Sequence, residues 1–478
     1  MRKILILLLS LCLLCACAAP AQTPSASSPV QASTQKTQAQ NAPGGVALAI
    51  EKAVPVEPYN CLSACNRFLC SFLYEPLFRV NEKGAAEPVL AESFFVSDDE
   101  KTTTVHIRQG VSFSDGTALT AQNALESLQK AIGSAYYGRR LRHVSKMEAQ
   151  GQTLVFYTDC AYECLPKLLD IPLSLPSGGD TPYGTGPFAF AENKLTKNSL
   201  WQGEACPVSA EEIDLVPVTD LAGLRSAFQF GTVSAASFDP NAGTRLTMQG
   251  DFELWSLPTT EMQYIGFNMI YGPFTNGALR CALPYAVDRE AIVTEDMDGF
   301  GVAVTQAALP GTDVYFGDLG ANIGYQPEKL RAVASGQTAN MIVCNASPQK
   351  VNSAKRVAKA LSDAGIATAV TPLGEAAFRS ALEKGEYDLY FASVRLSPDQ
   401  DLSPLFSYGS GVSCGGLDAI GEARELCLKT LENSGNGYAL QQMILQDGLI
   451  CPVAFKTNAL YAHRDALKNV RPGISDWK

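Results

Sequence analysis

The sequence predicts an α/β fold, and three observations carry that prediction. Between Met341 and Ala392 apolar strand-like runs alternate with helical spacings, the pattern of a layered sheet with mainly parallel pairing. Between Leu73 and Leu128 short period-two runs are separated by turn signals, which points to a second, smaller unit. The chain's 478 residues, 46% hydrophobic and 18% charged, are enough for two or three cores.

Taken in order, residues 1–16 read as a secretory leader. Arg2-Lys3 precedes the apolar run Ile4–Leu14, which is too short to span a bilayer comfortably. Leu14-Cys15-Ala16-Cys17 resembles a bacterial lipobox, which implies acylation of Cys17 and a membrane anchor. From Ala18 to Gly45 the chain is Ala, Pro, Ser, Thr and Gln, so residues 17–45 read as a lipidated cysteine and a disordered tether spanning roughly 30 Å. Val46–Ile50 is a short strand, and Pro55–Asn60 a loop before a helix containing Asn66–Leu73.

The block that follows places strands at Pro76–Val80, Phe94–Val96 and Thr102–Arg108, with turns at Asn81–Gly84, Ser97–Lys101 and Asp115-Gly116. Thr120 is the expected N-cap of a helix through Leu128. Leu154–Thr158 reads as a strand and Ala161–Leu169 as a helix. In Gly184-Thr185-Gly186-Pro187-Phe188 the glycines suit a turn with positive φ; a phosphate loop fails because no Gly-Lys-Ser/Thr follows. Ile213–Val218 is a strand and Leu224–Phe230 a helix, and Tyr264–Met269 is a further strand. Asp288-Arg289-Glu290 reads as a solvated helix turn with local ion pairs. Beyond it, strands at Met341–Cys344, Ile366–Val370 and Tyr387–Ala392 alternate with helices at Ser353–Ala364, stopped by Gly365, and Ala376–Glu383; Ile450–Phe455 is the last strand.

Bulk properties narrow the partners. The formal net charge is −11, and −13 once Arg2 and Lys3 leave with the leader, so nucleic acid is excluded as a charge-driven partner. Of fourteen cysteines, eleven remain after Cys12, Cys15 and the lipidated Cys17, an odd number that cannot all pair. Most read as small buried hydrophobes, with one or two disulfides compatible with export. Only three histidines occur, scattered along the chain, and neither a metal site nor any other cofactor is expected.

The motifs carry a resemblance. Leu73-Tyr74-Glu75-Pro76-Leu77, Pro88-x-Leu90-Ala91-Glu92-Ser93 and Val96-Ser97-Asp98-Asp99 occur in order, followed by Ile107-Arg108-x-Gly110-Val111-x-Phe113-x-Asp115-Gly116-Thr117. A second signature runs from Tyr264-Ile265-Gly266-Phe267-Asn268 to Ala286-Val287-Asp288-Arg289. Together these resemble the family 5 extracellular solute-binding proteins of ABC importers, which bind peptides or nickel. The resemblance implies a two-lobed, type II periplasmic-binding-protein-like fold with an additional small α+β domain and a ligand cleft between the lobes. It places domain I in 46–72, 185–270 and 450–478, domain II in 73–184 and domain III in 271–449. It also implies a monomer on the outer face of the membrane or in the periplasm, with permease subunits as partners and a short peptide as solute. An oligosaccharide, a metal chelate, a signalling peptide, or a sensor or chaperone role are the alternatives.

The same resemblance nominates ligand contacts. The loop Glu57, Tyr59 and Asn60 falls where relatives have the cleft floor, or else simply connects strand to helix. Tyr264 and Asn268 lie on the signature strand. Asp399 occupies the loop in which peptide-binding relatives hold the ligand's amino terminus, where a carboxylate would select a cation. Arg395, standing where the family has Gly-Trp, favours a carboxylate or another anionic group. No Gly-x-Ser-x-Gly or His-Glu-x-x-His occurs and His106 lies on a strand, so no catalytic residues are expected.

Overall fold

The computed structural model describes residues 45–134, 136–242, 248–470 and 473; the leader, Cys17 and the tether lie outside the described residues. One eleven-stranded sheet organises the molecule. Two strands dominate it, the sixteen residues of Phe252–Phe267 and the fourteen of Ile450–His463, paired antiparallel over nearly their whole length. Each is about 50 Å long, well beyond an ordinary strand. Their apolar runs, such as Met262–Phe267 and Ile450–Phe455, are buried, as strands covered on both faces must be.

The halves of this pair serve different neighbours. One half carries Ala235–Phe238, then Val46–Ile50 and Glu212–Pro217 in parallel register, then Lys194–Lys197 and Phe188–Ala191. The other half carries Leu389–Arg395 antiparallel, with Thr338–Cys344 parallel to both Leu389–Arg395 and Ala367–Leu373. The expected α/β alternation is therefore present, with parallel pairing on either side of the long pair and an antiparallel edge at Lys194–Lys197 and Phe188–Ala191. Helices Pro348–Asp363 and Glu375–Lys384 connect them, and Gly365 and Gly385 follow with positive φ, where a Cβ would be strained. Alternate residues of the second half feed two cores: Met262, Tyr264 and Tyr390 face Phe406 and Ile444, while Ile265, Phe267 and Phe391 face Met341 and Leu361.

The Leu73–Leu128 block builds the smaller unit. Its four-stranded antiparallel sheet runs Ala91–Val96, Thr102–Ile107, Thr153–Thr158, Val144–Gln150, beside the hairpin Phe78–Val80 and Ala86–Pro88. The helix Ala121–Ile132 starts at Thr120, whose hydroxyl accepts from the Asn123 N–H while the Asn123 side chain returns to the Thr120 N–H. This unit has no core of its own: one apolar cluster runs from Leu48 and Ile213 through Leu69 and Leu77 to Val105, Phe113 and Phe156.

Three local expectations change. The helix placed at Ala161–Leu169 is only Leu165–Leu168, because Pro166 has no N–H to give and fits only a first helical turn. Arg289 is buried rather than solvated, its guanidinium donating to the carbonyls of Pro452 at 3.0 Å and Pro284 at 2.9 Å. Gly184 and Gly186 have no positive φ; they are needed for close approach, since a Cβ on Gly184 would stand 1.9 Å from the Leu73 carbonyl oxygen and one on Gly186 would stand 2.6 Å from Phe72 O. The Leu73 carbonyl accepts the Gly186 N–H at 2.9 Å, fixing the end of the first helix to the strand entry. Among the described residues the eleven cysteines are free thiols, five of them buried.

Replacing Gly184 by Ala should therefore destabilise the protein by about 1–3 kcal/mol or more, through forced backbone displacement. The measurement is the urea midpoint at unchanged slope. A midpoint equal to wild type would show that the Leu73 carbonyl has room to move.

Candidate functional site

The long strands fall out of step twice, by a small shift between Gln263 and Tyr264 and by a larger one just before it. Pro258 pairs with Thr457 and Met262 with Phe455, so Thr259, Thr260 and Glu261 stand opposite Lys456 alone. Such a bulge bends and twists a ladder and re-aims its side chains, and Pro258 is accommodated beside it. Thr259 Oγ1 donates to Lys456 O at 2.7 Å and accepts from the Glu261 N–H at 3.2 Å, which uses polar groups the ladder leaves unpaired. The irregularity falls where the two halves of the sheet part.

A cavity of about 410 Å³ opens at this point. Its floor is Thr259, Glu261, Lys456 and Asn458 from the long strands, with Arg395 beside them. Glu51 and Ser63–Cys65, Ser237–Asp239 and Asp220 line the other side, and the highly exposed Leu62 stands at its edge. Charges of both signs thus meet within one cleft.

The floor charges are closely coupled. Lys456 Nζ lies 2.6 Å from Asp239 Oδ2 and 3.6 Å from Glu261 Oε2. Arg395 is the register partner of Glu261 across the sheet, with Nη2 3.7 Å from its carboxylate, and Lys350 reaches the same group at 4.0 Å. Burial acts to raise the Glu261 pKa, but Lys456, Lys350 and Arg395 together outweigh it and hold the carboxyl below its ordinary value. Burial acts to lower the Lys456 pKa, and the Glu261 and Asp239 carboxylates reverse it to a raised one. Lys350 goes the other way: burial, helped by the neighbouring Lys456 charge, outweighs the Glu261 and Asp239 carboxylates, and its pKa is lowered. The Glu261–Lys456–Asp239 contact is therefore the firm part of the cluster.

Of the seven residues nominated from the sequence, Arg395 lines this cavity. It also donates to Tyr136 Oη at 3.1 Å from the smaller unit. The other six are placed elsewhere. Tyr59 is buried, with its hydroxyl shared among Ser127, Ser174 and Pro172 O. Glu57 accepts the backbone N–H groups of Tyr59 and Asn60, closing a turn, and Asn60 is exposed. Tyr264 packs edge-on against Tyr390 in the core. Asn268 is buried, donating to Gly385 O and Tyr387 O and accepting from the Ile270 and Tyr271 N–H groups.

Asp399 is also turned away. It accepts from Tyr162 Oη at 2.5 Å and from Ser397 Oγ. Next to it, Arg142 pairs with the buried Asp401 and donates to Ser403 Oγ, and Arg139 donates to Ser410 O at 2.9 Å. These contacts join the smaller unit to the loop after Leu389–Arg395 rather than opening into the cleft. Glu261, Lys456 and Asp239 were not nominated; the available signal was a lone charge in each long apolar run, Glu261 ahead of Met262–Phe267 and Lys456 within Ile450–Tyr461.

The depressed Glu261 pKa fixes a pH dependence. Its contribution to stability is present above the unfolded carboxyl value of about 4.3 and is lost as pH falls through the lower folded value. The stability gap between wild type and Glu261→Gln should be widest near neutral pH and close in acid, measured by urea unfolding from pH 7 to 3. A gap independent of pH would show that the charge of Glu261 is not what the cluster uses.

Comparison with known proteins gives this geometry its context. Residues 85–413 match the model of the bacterial extracellular solute-binding proteins, family 5. The glutathione-binding protein GsiB of Shigella flexneri is 27% identical over 297 residues, covering 58% of each chain, so the match spans little more than half the length of this curated relative. Two solved structures superpose widely. The nickel ABC transporter protein of Bacillus halodurans has a TM-score of 0.72 at 16% identity, covering 91% of this chain and 96% of that one. The ABC transporter substrate binding protein CtaP of Listeria monocytogenes has 0.70 at 18%, covering 88% and 93%. This likeness shows the fold to be that of the type II periplasmic binding proteins, as the motifs implied. With more than half its length matching the family's model, the chain belongs to the family 5 bacterial extracellular solute-binding proteins.

Proposed function

We propose that this protein captures a short peptide, or another solute carrying both a cationic and an anionic end, and delivers it to an ABC importer. The observation that carries the reading is the cleft at the bulge. Its volume of about 410 Å³ suits a small solute, and it presents Arg395 and Lys456 together with Glu51, Asp220, Asp239 and Glu261. A zwitterion placed there finds a cation for its carboxylate and a carboxylate for its amine, each by a charge-assisted hydrogen bond. Thr259, Asn458 and Ser237 add neutral polar groups, and Leu62 an apolar edge.

In this reading residues 46–72, 185–270 and 450–478 form one lobe, 271–449 the other and 73–184 the small unit. The lobes close on the solute by bending at the paired long strands, and the closed form is what the permease engages. The leader and the Leu14–Cys17 motif support export and anchoring at the outer face of the cytoplasmic membrane by lipid on Cys17. The relatives' names span glutathione and nickel, so the peptide preference rests on the charges of the cleft.

Native mass spectrometry of freshly purified protein should show a bound small solute. Titration calorimetry with short peptides should show at least tenfold weaker binding, about 1.4 kcal/mol, for Arg395→Ala and for Glu261→Gln. Amidating the peptide's carboxylate should weaken binding to wild type more than to Arg395→Ala. No bound solute and no thermal shift across peptides, sugars and metal chelates would overturn the reading. Separately, Cys17→Ser should move the protein from the membrane fraction to the soluble exported fraction.

A further inference from the structure

Away from the cleft, the end of one hairpin gathers three different metal-ligating side chains. His143 immediately precedes the strand Val144–Gln150, while Asp159 and Cys160 immediately follow its partner Thr153–Thr158. The Asp159 N–H donates to His143 O at 2.9 Å and the Thr158 hydroxyl to Cys160 O at 2.7 Å, so backbone bonds fix all three at one end of the ladder. Ligand atoms of the imidazole, the carboxylate and the thiol all lie within 4.8 Å of one another.

The imidazole is the informative member. Its Nδ1 faces Asp159 Oδ1 at 2.9 Å, and its Nε2 is buried without a hydrogen-bond partner. The ring packs edge-on against Tyr162, which limits its rotation. The ring thus turns its Nδ1 edge to the carboxylate and leaves Nε2 unpartnered. Asp159 is more than half exposed, which leaves a path from solvent. From these juxtaposed N, O and S donors we infer that His143, Asp159 and Cys160 form a binding site for a borderline divalent transition metal of the zinc, cobalt or nickel class.

The donor set decides the class. Magnesium and calcium require oxygen ligands and gain nothing from a thiol and an imidazole, whereas a neutral imidazole, a carboxylate and a thiolate suit these borderline ions. Three protein ligands leave a position for water or an exogenous ligand. Before metal binds, the Cys160 thiol is protonated, since burial and the adjacent Asp159 carboxylate push its pKa up to about 11. Binding then forms the metal–sulfur bond as the S–H bond breaks, and the proton goes to solvent. This site is separate from Arg395, Glu261 and Lys456, so it goes beyond solute capture.

The test uses the purified full chain, stripped of metal and titrated with Co(II). Wild type should bind one equivalent with a thiolate-to-cobalt charge-transfer absorption, and Zn(II) should bleach it. Cys160→Ser should remove the band, and His143→Ala and Asp159→Asn should each weaken binding at least tenfold, with near-wild-type melting in the absence of metal confirming that the variants fold. Arg395→Ala should bind Co(II) like wild type, which keeps this result independent of peptide binding. A band that persists in Cys160→Ser, placing the metal on another of the cysteines, overturns the inference. So does the absence of any band in wild type.

Discussion

The pairing of Phe252–Phe267 with Ile450–His463 is the constraint on which the rest of this molecule depends. Both halves of the sheet are built outward from these two strands, and helices and loops merely cover what the pair already sets. A ladder this long transmits twist from one end to the other unless it is interrupted. The interruption at Thr259–Glu261 is placed between the halves, and the charged floor of the cleft sits on it. Glu261 tolerates its burial because Lys456, Arg395 and Lys350 surround it. Removing a partner would leave a charge in a poorly hydrated place, which is costly in a way that a surface ion pair is not.

The smaller unit depends on the same frame by a different route. It adds a four-stranded sheet but shares its apolar cluster with the first half of the large sheet, so it cannot be detached without exposing Leu77, Phe113 and their neighbours to water. The seam is closed by the Leu73 carbonyl lying against Gly184 and Gly186, a contact in which no side chain fits.

Local features were legible in the sequence, whereas features that arise from distant pairings were not. The period-two runs, the Thr120 cap and the Gly365 stop report on neighbours a few residues away, and they appear in the structure much as read. The glycines of Gly184–Gly186 were recognisable as special, but the reason for them is a carbonyl over a hundred residues distant. The cleft was the least legible part. Arg395 was found because a family motif is broken there, whereas Glu261 meets Lys456 only through a register shift that no periodicity announces. Tyr59, Tyr264 and Asn268 belong to recognisable motifs, and in the structure their polar groups serve packing and backbone satisfaction. His143 stands apart from Asp159 and Cys160 in the sequence for the same reason, since antiparallel pairing is what brings residues 143 and 159 side by side.

The contacts between the smaller unit and the loop beyond Arg395 form a second, polar seam. Asp401 is almost fully inaccessible and is held by Arg142, and Tyr162 and Arg139 hold the same loop at Asp399 and Ser410. Parting the two would strip a buried carboxylate of its cation and several hydrogen-bonding groups of their partners before water replaces them. The contact is therefore a cohesive seam, in which the cation and the carboxylate part only together with the hydrogen bonds around them. A unit that lines none of the cleft is thereby fastened to the loop that follows Arg395, itself a residue of the cleft.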